Sequence, residues 1–314
     1  MSEARIAVVG AGAWGTALAL HAARSGARVS LWARDVARVA ASPRLAGAVL
    51  PAGMLVSALP GEADAVLLCV PMQRLREVCA RLPPGGPLVV CCKGVEAGTG
   101  LLPLEVVAQV MPGRAAAVLS GPNFAGEVAA GLPAASVVAA QDAALRARLV
   151  GLLATPGFRL YGNDDVAGVQ VGGAAKNVVA IAAGAVMGAG LGENARAALV
   201  TRGLVEIGRL AQALGGRADT VAGLSGLGDL LLTCTGPSSR NFRFGLAVGR
   251  GASVGELLAA ESAVVEGVAT AGALVRRAAG VELPVCAAVA ALVAGEMTLD
   301  GAIGALLARA RRDE

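Results

Sequence analysis

The sequence of 314 residues predicts two different halves, a doubly wound, mostly parallel α/β sheet followed by an all-α domain. Short apolar runs alternate with helix-like stretches up to about Asp165, a rhythm typical of strands that are buried on both faces by βαβ connections. Beyond Asp165 the strand pattern stops, and long Ala- and Leu-rich helical stretches follow. We therefore predict domains over residues 1–165 and 166–314.

Seven strands are predicted in the first half, each from a short apolar run. They are Arg5–Val9, Arg28–Trp32, Ala65–Val70, Leu88–Cys92, Ala116–Ser120, Ala135–Ala139 and Phe158–Tyr161. Helices are predicted between several of them, over Gly15–Ser25, Arg74–Arg81 and Ala143–Leu153. A long helix over Val166–Gly190 is predicted to begin the second domain.

The composition narrows the classes of function. The net charge is only +4, and basic stretches interleaved with aromatic residues are lacking, so we expect no nucleic-acid partner. The longest apolar run lies between Lys176 and Glu193 and is shorter than the ~20 residues that a membrane span needs. The N-terminus lacks a signal-peptide pattern. The six cysteines form no CxxC pair, so we expect free thiols, no metal site and a cytoplasmic protein.

A glycine loop follows the first strand and opens the first helix, with the sequence Gly10-Ala11-Gly12-Ala13-Trp14-Gly15. GxGxxG in this context is typical of a Rossmann-like dinucleotide-binding domain. The three glycines would allow a tight turn, the approach of a pyrophosphate and close helix–strand packing. The unpaired N–H groups of the helix N-terminus would face the phosphates. The alternative is a glycine-rich turn without a ligand.

The end of the second strand carries both residue types that select between the two nicotinamide cofactors. An acid there binds the ribose hydroxyls of NADH, and an arginine meets the 2′-phosphate of NADPH. Arg34 precedes Asp35 in this chain. The sequence is therefore compatible with either NADH or NADPH as the cofactor, and NADPH is favoured.

Only two of the 27 basic residues are lysines, Lys93 and Lys176. A buried lysine can lose its proton, whereas arginine stays charged, so lysines in an arginine-rich chain are candidates for proton chemistry. Lys93 follows a predicted strand and should lie at the edge of the sheet where ligands bind. Lys176 interrupts the apolar run Gly172–Gly184. The alternative is that Lys176 snorkels from a helix and Lys93 lies on a surface loop.

The single histidine, His21, is expected to be packed or exposed on the first helix, which leaves proton transfer to Lys, Asp, Glu or Tyr. Two short polar stretches in the second half contain further candidate site residues. Asp229 and Thr233 are four residues apart and share a face if this stretch is helical, although Asp229 could be only a helix cap. The stretch from Ser238 to Asn241 resembles a phosphate-binding site near the start of a helix.

These polar stretches and the glycine loop belong to longer sequence motifs. They are GAGAWGTALA, CCKG, SGPNFAGEVA, GGAAKNVVAIAAG, TRGLVEIGRL, GLSGLGDLLLTC, SSRNFRFG and VVEGVATA. With them the chain resembles, from about Arg5 to Pro284, the NAD(P)-dependent glycerol-3-phosphate dehydrogenase family of the bacterial single-chain type. The resemblance implies reversible reduction of dihydroxyacetone phosphate by NADPH or NADH to sn-glycerol 3-phosphate, which would supply glycerophospholipid synthesis.

The resemblance also implies site residues. Lys176 would be the general acid–base, assisted by Lys93 and Asp229. The substrate, a phosphorylated triose, would be bound by Lys93, Gly121, Asn123, Asn177, Asp229, Thr233, Ser239, Arg240 and Asn241. The cofactor would be bound by Gly10, Gly12, Ala13, Trp14, Gly15, Arg34, Lys93, Ala125, Arg240, Val264 and Glu266. A homodimer is expected.

The chain departs from the family pattern at a few positions. Cys91 and Cys92 stand where Ser or Thr is more frequent, Asn123 where Ser is common, Gln170 where Glu is frequent and Glu193 where Asp is frequent. Two alternatives stay open. One is another β-hydroxyacid-type dehydrogenase, similar to 6-phosphogluconate dehydrogenase, and the other is a nucleotide-binding regulator without catalysis.

Overall fold

A computed structural model describes residues 3–41, 44–59, 62–260 and 264–308. The chain divides into two compact units. The first consists of Met1–Lys93 and Leu102–Gln170, and the second of Gly94–Leu101 and Val171–Glu314. The functional boundary expected between residues 165 and 166 stays a prediction.

The first unit is built on one sheet, to which the described residues contribute eight strands. They are β1 (Arg5–Val9), β2 (Arg28–Trp32), β3 (Leu55–Val56), β4 (Ala65–Leu68), β5 (Leu88–Val90), β6 (Ala116–Ser120), β7 (Ala134–Ala139) and β8 (Phe158–Asn163). Their order is β3-β2-β1-β4-β5-β6-β7-β8, and every neighbouring pair is parallel except β6 and β7. The predicted Rossmann-like fold class is confirmed.

The strand order defines where a ligand can bind. The chain proceeds outward from β1 to β2 and β3 and then returns to the other side of β1 to form β4. The carboxyl ends of β1 and β4 therefore flank the switch point of the sheet, where doubly wound folds bind their ligands. The carboxyl ends of β5 and β6 lie at the same edge.

Helices connect the strands of the first unit. They are α1 (Ala13–Arg24), α2 (Val36–Ala41), α3 (Leu75–Cys79), α4 (Pro103–Val110), α5 (Ala125–Ala130) and α6 (Ala143–Leu153). The helix predicted over Arg74–Arg81 is shorter than expected: a 3-10 turn at Met72–Arg74 precedes α3, which ends at Cys79. β4 and β5 each end two residues before the predicted position.

From α7 onward the described elements are helices, as predicted for the second half. They are α7 (Val166–Gly188), α8 (Gly192–Ala213), α9 (Ala218–Ala222), a π-helical turn (Leu224–Gly228), α10 (Asp229–Cys234), α11 (Arg240–Gly249), α12 (Val254–Ala260), α13 (Glu266–Arg277), α14 (Pro284–Ala294) and α15 (Leu299–Leu307). By length and composition α7 could cross a membrane, but 89% of its most apolar window is buried inside the protein. Burial of that extent identifies α7 as a core helix.

Glycines let α7 and α11 pack backbone against backbone. A Cβ atom at Gly184 would lie 2.0 Å from the carbonyl oxygen of Phe242, and one at Gly245 would lie 1.9 Å from that of Ile181. Gly249 shows the same close approach one turn further along α11, where a Cβ would lie 2.3 Å from the carbonyl oxygen of Ala185. These glycines hold the two helices closer together than any side chain would allow.

A buried carboxylate attaches α14 to α8. Glu206 lies within α8, and its two carboxylate oxygens accept the N–H groups of Val285 and Cys286 at 2.6 and 3.1 Å. These N–H groups belong to the first turn of α14, which lacks partners inside its own helix. Burial raises the pKa of Glu206, while the two backbone hydrogen bonds act in the opposite direction.

Candidate active site

The glycine loop of the first unit forms the cradle that the sequence predicts. Gly10 has a φ of +114°, and a Cβ there would lie 2.8 Å from the carbonyl oxygen of Cys69. At Gly15 a Cβ would lie 1.9 Å from the carbonyl oxygen of Gly10. A Cβ at Gly12 would meet nothing within 4 Å, so open space lies over the middle of the loop. Gly10 and Gly15 thus close the turn, and Gly12 leaves room for a ligand to reach the backbone.

The N-terminus of α1 is suited to an anion. The helix begins at Ala13, and neither a capping side chain nor an acidic residue occupies its first turn. Its N–H groups and positive dipole end point toward the open side of the loop. The residues present therefore fit the pyrophosphate of a dinucleotide, with Gly12, Ala13 and Trp14 beside it.

The two candidates at the end of β2 have different structural roles. Asp35 precedes α2, and its carboxylate accepts the N–H of Arg38 at 2.9 Å, so it acts as a helix cap. Arg34 is exposed. The side chain of Asp35 is thus engaged in a local structural contact, whereas the guanidinium of Arg34 is accessible to an anion.

Lys93 lies at the carboxyl end of β5, as predicted. Its half-buried ammonium donates to the carbonyl oxygen of Gly121 at 3.0 Å, at the end of neighbouring β6. Two residues on, the Asn123 amide donates to the Ser136 hydroxyl of β7 at 2.5 Å. The Asn123 carbonyl oxygen is buried without a partner among the described residues. This sheet edge therefore holds a half-buried ammonium and a buried side-chain oxygen that is still without a partner among the described residues.

The second unit holds a buried group of three polar side chains around Lys176. The Lys176 ammonium donates to the carboxylate of Asp229 and to the hydroxyl of Thr233, both at 2.8 Å. The Thr233 hydroxyl in turn donates to the backbone carbonyl of Asp229 at 2.6 Å. The exposed fractions are 8%, 1% and 3% respectively. Two of the three N–H directions of the ammonium are thereby defined by protein atoms.

The local backbone explains how Lys176 meets Asp229. A π-helical turn at Leu224–Gly228 runs directly into α10, which Asp229 begins. This turn packs against α7, where a Cβ at Gly172 would lie 2.7 Å from the carbonyl oxygen of Ser225. Gly172 is one helical turn before Lys176, so its missing side chain lets the two segments approach. Such π-helical turns are frequent at functional sites.

A chain of amides joins three helices beside this group. Asn241 of α11 donates to the side-chain oxygen of Asn177 of α7 at 2.8 Å. The side-chain oxygen of Asn241 accepts the N–H of Gly267, near the start of α13, at 2.9 Å. Both asparagines are buried. The Asn241 side chain, expected to contact substrate, therefore also connects helices, and Gly267 is a contributor that was not among the predicted site residues.

The predicted phosphate-binding residues lie at the N-terminus of α11. Ser239 is the N-cap residue, and its hydroxyl accepts the N–H of Phe242 at 3.2 Å. Arg240 is the first helical residue and is exposed. An exposed arginine thus stands in the first turn of a helix, a combination of residue and position that can bind an anion.

The remaining predicted residues lie at element ends or in the core. Ala125 begins α5, Glu266 begins α13, and Val264 is exposed. His21 is buried, and its Nε2 contacts the carbonyl oxygen of Leu153 at 2.8 Å, which confirms that it is packed.

Gln170 has a structural role. Its side-chain oxygen accepts the N–H of Leu104, near the start of α4, at 2.8 Å. The frequent Glu at this position also supplies an acceptor oxygen, so the departure at Gln170 preserves this contact.

Comparison with known proteins identifies the chain's relatives. Two family models match: NAD-dependent glycerol-3-phosphate dehydrogenase N-terminus over residues 5–146, and NAD-dependent glycerol-3-phosphate dehydrogenase C-terminus over residues 165–304. Glycerol-3-phosphate dehydrogenase [NAD(P)+] of Gluconobacter oxydans is 52% identical over 97% of both chains. The enzyme of that name from Acidiphilium cryptum is 56% identical over 98% of both.

Solved structures agree with this assignment. The glycerol-3-phosphate dehydrogenase of Coxiella burnetii superposes with a TM-score of 0.91 at 37% identity, over 98% of this chain and 99% of its own. A ketopantoate reductase of Staphylococcus aureus reaches a TM-score of 0.54 at 14% identity, over 93% of this chain and 99% of its own, and shares only the fold. The chain belongs to the NAD-dependent glycerol-3-phosphate dehydrogenase family.

Proposed function

We propose that the chain catalyses the reversible reduction of dihydroxyacetone phosphate to sn-glycerol 3-phosphate with NADPH or NADH, and so supplies glycerophospholipid synthesis. The observation that carries the proposal is the buried group of Lys176, Asp229 and Thr233. A ketone that receives a hydride at carbon needs a proton donor at oxygen, and a fixed ammonium inside an apolar wall meets that need. The full-length relatives named above support the choice of substrate.

The glycine loop would hold the cofactor. Gly12 leaves the backbone accessible, and the first N–H groups of α1 would bind the pyrophosphate. Arg34 would meet the 2′-phosphate of NADPH, because its guanidinium is exposed while Asp35 caps α2. When bound, the reduced nicotinamide supplies the hydride.

Lys176 would supply the proton. As negative charge develops on the substrate oxygen, the ammonium transfers a proton to it and becomes a neutral amine. Asp229 stabilises the charged form of Lys176 before transfer, and together with Thr233 it fixes the direction of the nitrogen. In the reverse reaction the neutral amine accepts the proton from the alcohol.

The phosphate of the substrate would bind at the start of α11. Arg240 gives a charge-assisted contact, Ser239 orders the first turn, and the buried Asn241 places this turn beside Asn177 of α7. We assign supporting roles to Lys93, Gly121 and Asn123 at the sheet edge of the first unit. The cytoplasmic location and the homodimer stay predictions.

The decisive experiment follows the loss of reduced-nicotinamide absorbance with dihydroxyacetone phosphate, separately for NADPH and NADH. Lys176→Ala should lower turnover at least ~100-fold, the scale of a lost acid–base group, and leave nucleotide binding intact. Arg202→Ala is the matched control, because Arg202 is an exposed basic residue of α8. Normal turnover in Lys176→Ala would remove this mechanism.

The same assay separates the alternatives. A protein that binds nucleotide but reduces no substrate would be a regulator. Activity on an acidic 3-hydroxy compound rather than on the triose phosphate would indicate a dehydrogenase of the 6-phosphogluconate type.

A further inference from the structure

Two cysteines occupy neighbouring positions on adjacent strands, and one of them packs against the glycine loop. All six cysteines lie within the described residues and none forms a disulfide, and Cys69 alone among them is partly exposed. Cys69 follows β4 and Cys91 follows β5, and these strands pair in parallel with Leu68 opposite Val90. The register continues one residue further, since the N–H of Cys91 donates to the carbonyl oxygen of Leu68 at 3.0 Å. Cys69 and Cys91 are therefore direct neighbours across the sheet.

Both side chains also point to the same face. Cys91 belongs to the apolar core between the sheet and its helices, and Cys69 packs against that core. Adjacent strands are about 4.8 Å apart, which lies within the Cα separations that disulfides tolerate. Cys92 points away, with its sulfur 3.9 Å from that of Met72. The pairing is thus specific to Cys69 and Cys91.

Cys69, the outer member of the pair, is in direct contact with the glycine loop. A Cβ at Gly10 would lie 2.8 Å from the carbonyl oxygen of Cys69, and one at Gly15 would lie 3.0 Å from the Cβ of Cys69. A disulfide needs its two Cβ atoms about 3.8 Å apart, about 1 Å closer than parallel neighbours stand. Bond formation must therefore displace Cys69, and the glycine loop packed on it moves as well.

We propose that Cys69 and Cys91 are a reversible modification site, at which formation of their disulfide weakens nucleotide binding. The oxidant is a low-molecular-weight disulfide. The Cys69 thiolate attacks one of its sulfurs and expels a small thiolate, and the Cys91 thiolate then attacks the Cys69 sulfur of the mixed disulfide and expels the second. The two cysteines lose two protons and two electrons, and the small disulfide becomes two thiols.

Burial raises the pKa of the Cys91 thiol well above its ordinary value. The thiolate is the attacking form, so the second step should accelerate as the pH rises. Near neutral pH, the mixed disulfide on Cys69 should accumulate. At higher pH, it should react further to give the Cys69–Cys91 disulfide.

The test treats the purified full-length protein with 2,2′-dithiodipyridine, followed by intact mass, peptide mapping and calorimetric titration with NADPH. The expected product carries a Cys69–Cys91 disulfide and binds NADPH roughly tenfold or more weakly, as for an ångström-scale displacement in a precise site. Dithiothreitol should restore binding. Cys91→Ala should stop at the mixed disulfide, whereas Cys92→Ala, the adjacent thiol on the other face, should behave as wild type.

The proposal uses only the nucleotide-binding part of the proposed function, so a failure of the triose phosphate assay would leave it intact. Three results would overturn it: no Cys69–Cys91 cross-link at any pH, cross-linking through Cys92 instead, or an oxidised protein that binds NADPH as tightly as the reduced one. If the reduced protein does not bind NADPH, the cofactor assignment fails together with this inference, even if the Cys69–Cys91 cross-link forms.

Discussion

Substitution of Gly245 by alanine tests the idea that close backbone packing of α7 and α11 builds the site. The new Cβ would lie 1.9 Å from the carbonyl oxygen of Ile181 and 2.9 Å from the backbone nitrogen of Ala185. Carbon atoms essentially never approach such atoms within 3.0 Å, so the helices must separate locally by about 1.1 Å. Both contacts are with backbone atoms, which cannot rotate away as a flexible side chain would.

The size of the effect follows from two opposing terms. Overpacking costs about 3 kcal/mol at the upper end of its usual range, since no rotamer change relieves it. Alanine is favoured over glycine in a helix by about 1 kcal/mol. We expect a net loss of about 2 kcal/mol, which corresponds to a fall of about 1 M in the urea midpoint. Turnover should fall at least tenfold, because α11 carries Arg240 and α7 carries Lys176.

Gly208→Ala is the matched control. Gly208 lies inside α8 of the same unit, and a Cβ there would meet nothing within 4 Å. This variant should gain up to about 1 kcal/mol from helix propensity and keep its activity. If far-UV circular dichroism shows Gly245→Ala to be as stable in urea as Gly208→Ala, close packing at this interface is not required and the reasoning is wrong.

Three further predictions use other parts of the molecule. Arg34→Ala should weaken NADPH binding roughly tenfold or more, the scale of one lost charge-assisted hydrogen bond, and leave NADH binding nearly unchanged; equal weakening in calorimetry would contradict the assignment of Arg34. Glu206→Ala leaves two buried N–H groups of α14 without acceptors and should cost about 2–4 kcal/mol in urea unfolding. Glu206→Gln keeps an acceptor and should recover more than half of that loss, and no recovery would refute the capping role. Burial lowers the pKa of His21 from 6.5, so the folded state binds its proton less readily than the unfolded chain. The free energy of unfolding should therefore fall as the pH drops below about 6.5, and His21→Gln should remove this component. NMR of this single histidine should show a midpoint below 6.5, and a midpoint at or above that value would show that burial does not control its titration.

Much of the first unit could be predicted because its signals are local. The first and last residues of β1, β2 and β6 coincide with the ends of the apolar runs that predicted them. The bounds of α6 likewise agree with the predicted helix. β3 was missed, because the two residues Leu55–Val56 are too few to show a period. The rule for doubly wound sheets predicted Lys93 at the carboxyl-end edge of the sheet, and the structure places it there, beside Gly121.

The contacts of the second unit were less accessible, because they join residues distant along the chain. Lys176 and Asp229 are separated by 53 positions, and nothing in either stretch indicates that they pair. The intervening π-helical turn leaves no periodic signal that differs from an ordinary helix. Only the resemblance to a family grouped these residues, whereas the structure supplies the physical cause, the close approach that Gly172 permits.

The buried amide chain explains why polar groups are tolerated in this apolar interior. Its three members are Asn177, Asn241 and Gly267, and each hydrogen-bonds to the next, so no member pays the full cost of an unpaired buried group. Each is also the sequence neighbour of a residue with a proposed chemical role: Lys176 for the proton, Arg240 for the phosphate and Glu266 for the cofactor. One connected chain therefore fixes the relative positions of three helix segments while leaving the adjacent side chains to react or bind. Truncation of Asn241, at its centre, should accordingly disturb more than one binding function and also loosen the three helix segments from one another, whereas truncation of exposed Arg240 should affect binding alone.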